Sequence, residues 1–213
     1  MSTSPPRPSL LYRGVATATR PLLERAFRLH ASGAENLPAE GGYVLAANHC
    51  SNFDPWPLGM PLFPQRHLRF MAKSELFWPP LSWVIDAGGG FPVRRGERDE
   101  EAIATAVALC RDGHVVAMFP EGTRRSKGLV KKHEARWRTG AARIALEADV
   151  PLVPAAILGT DRLSRMPRLQ IRYGAPVPLA DLDRDDLQHA SVEATRRLQE
   201  QVEGMERSLA QED

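Results

Sequence analysis

Five positions separate a histidine from an aspartate in Asn48-His49-Cys50-Ser51-Asn52-Phe53-Asp54, directly after the apolar run Tyr43-Val44-Leu45-Ala46-Ala47. Imidazole is the commonest general base near neutral pH, and a carboxylate on its second nitrogen fixes the tautomer and stabilises the cation formed on proton uptake. On a helix this offset turns the two side chains about 140° apart, so they can meet only across a turn. Asn48, Ser51, Asn52 and the Asp54-Pro55 step supply turn chemistry. The same residues also suit a helix start, with Asp54 as N-cap and Pro55 as first helical residue, and a plain structural role for His49 at a strand end.

Three further segments carry chemistry. Phe119-Pro120-Glu121-Gly122-Thr123-Arg124 follows an apolar, strand-like run and puts a glycine turn, a hydroxyl and a guanidinium where α/β sheets hold ligands. A planar arginine fork beside backbone N–H groups holds a phosphate bidentately. Gly89-Gly90-Phe91-Pro92-Val93-Arg94-Arg95 adds two arginines after flexible glycines, and Val150-Pro151-Leu152-Val153-Pro154 is a proline-bounded entry to an apolar strand. From Arg124 to Arg138 seven Lys and Arg residues accompany one acid, Glu134, which suits phosphates, an anionic membrane surface or a solvated loop. The histidines at 30, 67, 114, 133 and 189 show no ligand spacing with the cysteines, so no metal is expected.

These segments need elements to position them. Residues 1–9, with Pro5, Pro6 and Pro8, are expected to be disordered. Over 10–30, Leu11, Val15, Ala18, Leu22, Ala26 and Leu29 recur at helical spacing opposite Arg13, Arg20, Glu24 and Arg28. This predicts an amphipathic segment that Pro21 kinks or divides, its apolar stripe facing either the domain or lipid. Residues 31–213 are expected to form one domain. Its strands are expected at Tyr43–Ala47, His67–Met71, Val115–Phe119, Leu152–Leu158 and Leu169–Tyr173. Helices are expected at Glu100–Cys110, Thr139–Ala148 and Asp185–Leu209, and Trp83–Ala87 is a further apolar run ending at three glycines. The pattern is that of an α/β fold, a single domain with a central, largely parallel or mixed sheet flanked by helices. Phe77, Trp78 and Trp83 make an aromatic-rich patch that suits either a core or a membrane interface.

A length of 213 residues with 43% apolar content is enough for one substantial core. The balance of 28 basic and 26 acidic residues, a net charge of +2, gives no sign of a nucleic-acid partner. Cys50 and Cys110 are the only cysteines, and Cys110 falls on the apolar face of an expected helix, which argues against a disulfide framework and for a reducing, cytoplasmic setting. The N-terminus lacks the apolar core of a signal peptide, and no window approaches the roughly 20 apolar residues of a span, so membrane contact is expected to be peripheral.

Taken in order, the four segments resemble the motif blocks of the 1-acylglycerol-3-phosphate acyltransferase family, the glycerophospholipid acyltransferases marked by His-x4-Asp, over about Leu29 to Pro176. The resemblance implies that His49 and Asp54 are the catalytic pair, and that Arg94 or Arg95 and the block Glu121, Gly122, Thr123, Arg124 hold the glycerol phosphate. Val150, Pro151 and Pro154 would lie near the acyl donor or shape the site. Arg94 stands where many relatives carry an acid, which leaves open which of the two arginines reaches the phosphate. The implied reaction moves a fatty acyl group from acyl-CoA or acyl-carrier protein to the free hydroxyl of lysophosphatidic acid, giving phosphatidic acid, with no cofactor beyond that co-substrate. Implied partners are the two substrates, acyl-carrier protein if it is the donor, and an anionic membrane surface met by the N-terminal helices. The implied place is the cytoplasm, peripheral on the inner face of the cell membrane. Alternatives are another lysophospholipid or a glycolipid as acceptor, and a non-catalytic lipid-binding homologue. Cys50 offers a route through an acyl-cysteine, but consecutive side chains in an extended segment point to opposite sides.

Overall fold

A computed structural model describes residues 8–93, 100–122 and 137–212. The first helix, α1 (Leu10–Pro21), begins at Ser9, whose hydroxyl accepts from the Tyr12 N–H at 3.1 Å. Ser9 is thus a helix cap, and of the expected disordered segment residues 1–7 lie outside the described residues. Pro21 ends the α-helical part, and the chain winds on through a wider π-helical turn at Leu22–Ala26, closed by Phe27 N–H to Leu22 O at 3.2 Å. Then follow β1 (His30–Ser32), β2 (Tyr43–Ala47), α2 (Pro55–Gly59), β3 (Leu68–Lys73), α3 (Leu81–Ala87) and β4 (Gly90–Val93). The second half holds α4 (Glu100–Arg111), β5 (Val115–Met118), α5 (Gly140–Ala148), β6 (Leu152–Leu158), β7 (Gln170–Tyr173) and α6 (Leu187–Gln211).

The strands form one seven-stranded sheet in the order β1-β7-β6-β2-β5-β3-β4. From β6 to β4 they are parallel; β7 runs antiparallel to β6, and β1 lies parallel to β7 at the edge. Parallel neighbours need crossovers, and right-handed crossovers change face when the chain reverses its direction of travel across the sheet. The chain steps outward from β2 through α2 to β3 and through α3 to β4, then returns through α4 to β5 and α5 to β6, so the two helix pairs cover opposite faces. In β2, Val44 and Ala46 pack on the side of Ala106, Ala145 and Leu198, while Tyr43, Leu45 and Ala47 pack with Leu58 and Leu68 on the other. Burial on both faces explains why β2 is apolar throughout.

Two segments that the sequence leaves open take definite form. Trp83–Ala87 lies in helix α3, with Ile85 packed towards Gly90 and Phe70; a short apolar run suits strand and buried helix equally, and the strand is the following Gly90–Val93 at the sheet edge, where Pro92 is tolerated. In the N-terminal segment the buried face is Tyr12, Ala16 and Leu23, set against Met60, Leu169, Phe53, Trp56 and Phe63. Trp56 Nε1 donates to Thr19 Oγ1 at 3.1 Å and clamps α1 to α2. The anticipated stripe is a neighbouring face, with Leu11, Val15, Ala18 and Leu22 exposed and Ala26 and Leu29 half-buried. The helix therefore has one apolar face for the domain and a second facing outward. Among the described residues no helix is long and apolar enough to cross a membrane.

Candidate active site

The parallel strands β2, β5 and β6 are neighbours, and the segments leaving their carboxyl ends meet around His49. Past Ala47 the chain turns: Asp54 N–H bonds Ser51 O at 3.2 Å and Phe53 N–H bonds Ser51 Oγ at 3.2 Å. The turn brings His49 Nδ1 to 2.8 Å from Asp54 Oδ2. That oxygen also accepts the backbone N–H of Cys50 at 2.8 Å and of Ser51 at 2.9 Å, and the hydroxyl of Thr160 donates to Oδ1 at 2.5 Å. An oxygen already taking two N–H donors is an acceptor towards the ring as well, which assigns the imidazole proton to Nδ1 and leaves Nε2 as the basic nitrogen. Asp54 is fully buried and His49 is 8% exposed. Pro55 is indeed the first residue of α2, but the Asp54 carboxylate makes no cap bond to that helix; it turns back into the turn.

Asn48, also fully buried, fastens the start of the turn to β6: its Nδ2 donates to Ile157 O at 2.9 Å, and Ile157 N–H donates to its Oδ1 at 2.8 Å. Nδ2 also reaches Glu206 Oε1 of α6 at 2.8 Å. The Cys50 thiol receives Asn48 Nδ2 at 3.3 Å and lies 3.8 Å from Ile157 O, so it faces β6 and not the imidazole. Phe119, the residue after β5, stacks on the His49 ring at 4.4 Å between centroids and 24° between planes.

Glu121 is buried and Gly122 adopts φ +68° at the end of β5, on the same edge of the sheet as His49. A Cβ on Gly122 would stand 2.7 Å from Arg138 Nε, so a guanidinium lies across the glycine. Arg94, Arg95, Thr123 and Arg124, and most of the basic segment, lie outside the described residues. Val150 and Pro151 stand at the amino end of β6, the edge opposite His49; Pro154 pairs with Ala46 inside the sheet, its ring 2.9 Å from where a Cβ on Gly174 would be. At the other end of β6, Ile157 holds Asn48, and just past the strand Thr160 bonds Asp54 of the dyad. His67 and His114 face each other at 6.0 Å ahead of β3 and β5, on the far edge. Burial, then His114 and Arg69, push His67 down to about 4.

Asn48, Phe119, Thr160 and Arg138 join the expected residues at the site. Asn48, Phe119 and Arg138 fall within segments singled out by the sequence without an individual role, and Thr160 carries only the signal of a Gly159-Thr160 step after an apolar strand, the usual place for a ligand-facing turn in a parallel sheet.

The chain belongs to the Acyltransferase family, whose model matches residues 28–158, more than half its length. It is 30% identical over 207 residues to the 1-acyl-sn-glycerol-3-phosphate acyltransferase of Bacillus subtilis (strain 168), a match covering 94% of this chain and 100% of that one. It is 31% identical over 173 residues to the sheep (Ovis aries) 1-acyl-sn-glycerol-3-phosphate acyltransferase alpha, covering 75% and 58% of the two chains. Its fold is similar to the crystal structure of the 1-acyl-sn-glycerophosphate (LPA) acyltransferase PlsC from Thermotoga maritima, with a TM-score of 0.59, 25% identity and coverage of 89% and 80%. Its particular branch is the one its four motif blocks imply, that of the 1-acylglycerol-3-phosphate acyltransferases.

Proposed function

We propose that this chain transfers a fatty acyl group from a thioester, acyl-CoA or acyl-carrier protein, to the free hydroxyl of 1-acyl-glycerol-3-phosphate, giving phosphatidic acid. The observation that carries the reading is the buried Asp54 carboxylate 2.8 Å from His49 Nδ1, with Nε2 left to act as base. Nε2 takes the proton of the acceptor hydroxyl as its oxygen attacks the thioester carbon; the tetrahedral intermediate collapses, the C–S bond breaks, and the thiolate leaves with the proton returned from His49. Asp54 supports the imidazolium between the two transfers. A thiolate is a good leaving group, so the step needs no metal or other cofactor. Arg94 or Arg95, Thr123 and Arg124 hold the phosphate beside Glu121 and Gly122, a role supported by the Arg138 guanidinium lying against Gly122.

The acceptor lives in a bilayer, and docking on an anionic surface at the inner face of the cell membrane completes the reading. Support comes from the outward apolar face of α1 and from Trp78, Trp83 and Val84 at α3, between 56% and 67% exposed and on the same side of the sheet. The test offers purified protein both thioester donors and a panel of lyso-acceptors, with products resolved by mass. Lysophosphatidic acid is the expected preferred acceptor. Preference for a substituted lysophospholipid or a glycolipid would move the acceptor, and absence of turnover would leave a lipid-binding protein. His49→Ala is expected to lower the rate by about 10² to 10⁴ while the fold persists.

A further inference from the structure

We propose that Thr160 is a positioning residue for acyl transfer, the group that fixes the plane of the Asp54 carboxylate against His49. The inference rests on the reading of His49 and Asp54 as base and orienting acid, and it lies beyond the stretch that the family model covers, which ends at residue 158.

The three bonds from His49, Cys50 and Ser51 all converge on one carboxylate oxygen, Oδ2. A carboxyl group turns readily about its Cβ–Cγ bond, because that torsion has broad, two-fold wells. Donors on Oδ2 hold that oxygen in place, but coupled adjustments of χ1 and χ2 can still tilt the carboxylate plane about it and turn the Oδ2 lone pair away from Nδ1. Thr160 Oγ1, 2.5 Å from Oδ1, ties the opposite end, and among the described residues it is the one donor to that atom. Thr160 is 2% exposed, so the bond has no water competing for it. Its β-branched side chain has few χ1 choices, which aims the hydroxyl.

The backbone is shaped for this placement. Gly159 adopts φ +94°, and a Cβ there would stand 2.5 Å from Arg168 O, so the strand can leave the sheet in this direction only through glycine. With Asn48 bracketing Ile157, the carboxyl end of β6 grips the base-bearing turn at its first and last residues. The chain folds a segment 106 positions downstream against the motif to do so.

The test compares Thr160→Val, which keeps the volume and loses the hydroxyl, with Thr160→Ala and Thr160→Ser, using steady-state kinetics in both substrates and thermal unfolding. The outer-shell partners that orient metal ligands typically cost about 10- to 100-fold in activity when lost, and by that analogy Thr160→Val is expected to lower kcat to a similar extent with little change in either KM. Thr160→Ser should recover most of the loss although it removes the methyl group, a pattern that simple packing would not give. A folded Thr160→Val with wild-type kcat overturns the proposal, as does a serine variant no better than the valine one. If Thr160→Val fails to fold, Thr160→Ala is held to the same criterion. His49→Ala runs alongside: if it keeps turnover, the dyad itself falls and this proposal with it, whereas an inactive His49→Ala beside a fully active Thr160→Val rejects the positioning role alone.

Discussion

Asp54→Asn separates the charge of the buried carboxylate from its hydrogen bonds. Asparagine can keep its oxygen at the Oδ2 position, where it still accepts from Cys50 N–H, Ser51 N–H and His49 Nδ1, while its amide turns to the Thr160 hydroxyl, which then serves as acceptor. The fold and the histidine tautomer are therefore expected to survive. What is lost is the negative charge facing the imidazolium. With Nδ1 and Oδ2 2.8 Å apart, the two charge centres lie roughly 4 Å apart, and at an effective dielectric of about 20 their attraction is about 4 kcal/mol. The amide dipole retains part of it, so the expected loss is about 10² to 10³ in kcat. The assay is release of free thiol from the acyl thioester in the presence of lysophosphatidic acid, with circular dichroism to check folding. A folded variant within about tenfold of wild type would refute the argument, since it would place less than about 1.4 kcal/mol on the charge.

Cys50→Ser is expected to keep most activity, because the thiol faces Ile157 O and Asn48; inactivation together with an acylated Cys50 trapped by mass spectrometry would restore the acyl-cysteine route. Serine at Leu11, Val15 and Leu22 together should leave the melting temperature nearly unchanged, since all three are exposed, while reducing co-sedimentation with anionic vesicles. Unchanged co-sedimentation would shift docking to Trp78, Trp83 and Val84. His67 titrates at about 4 in the fold and near 6.5 when unfolded, so between these values the unfolded chain binds more protons and stability falls as the pH drops from 6.5 towards 4. His67→Gln is expected to flatten that slope; an equally steep fall in the variant would locate the sensitivity elsewhere.

The parallel layers were readable because β2, β5 and β6 are buried on both faces and so appear as unbroken apolar runs between helical patterns. The short edge strands β1 and β4 carry no such run, and β4 contains a proline that propensity alone counts against it. In α1 the helical spacing was legible but the direction of its stripe was not, because the packed face uses a tyrosine and an alanine while the aliphatic residues mark the outward one. At the site, the His/Asp pair and its turn were legible, being local. Thr160 and Ile157 act through contacts across more than a hundred positions, which no local spacing encodes.

That separation also dictates when the site comes into being during synthesis. The strand carrying the base lies between β5 and β6, both made later, and Thr160 follows Asp54 by 106 positions. At roughly 5 to 20 residues per second the ribosome needs on the order of ten seconds to make that stretch. Through this interval the nascent chain holds both members of the pair but not the strand that grips their turn. Catalytic competence therefore arrives with closure of the sheet and not with translation of the motif, so an unfinished chain has no assembled base to spend acyl thioester on.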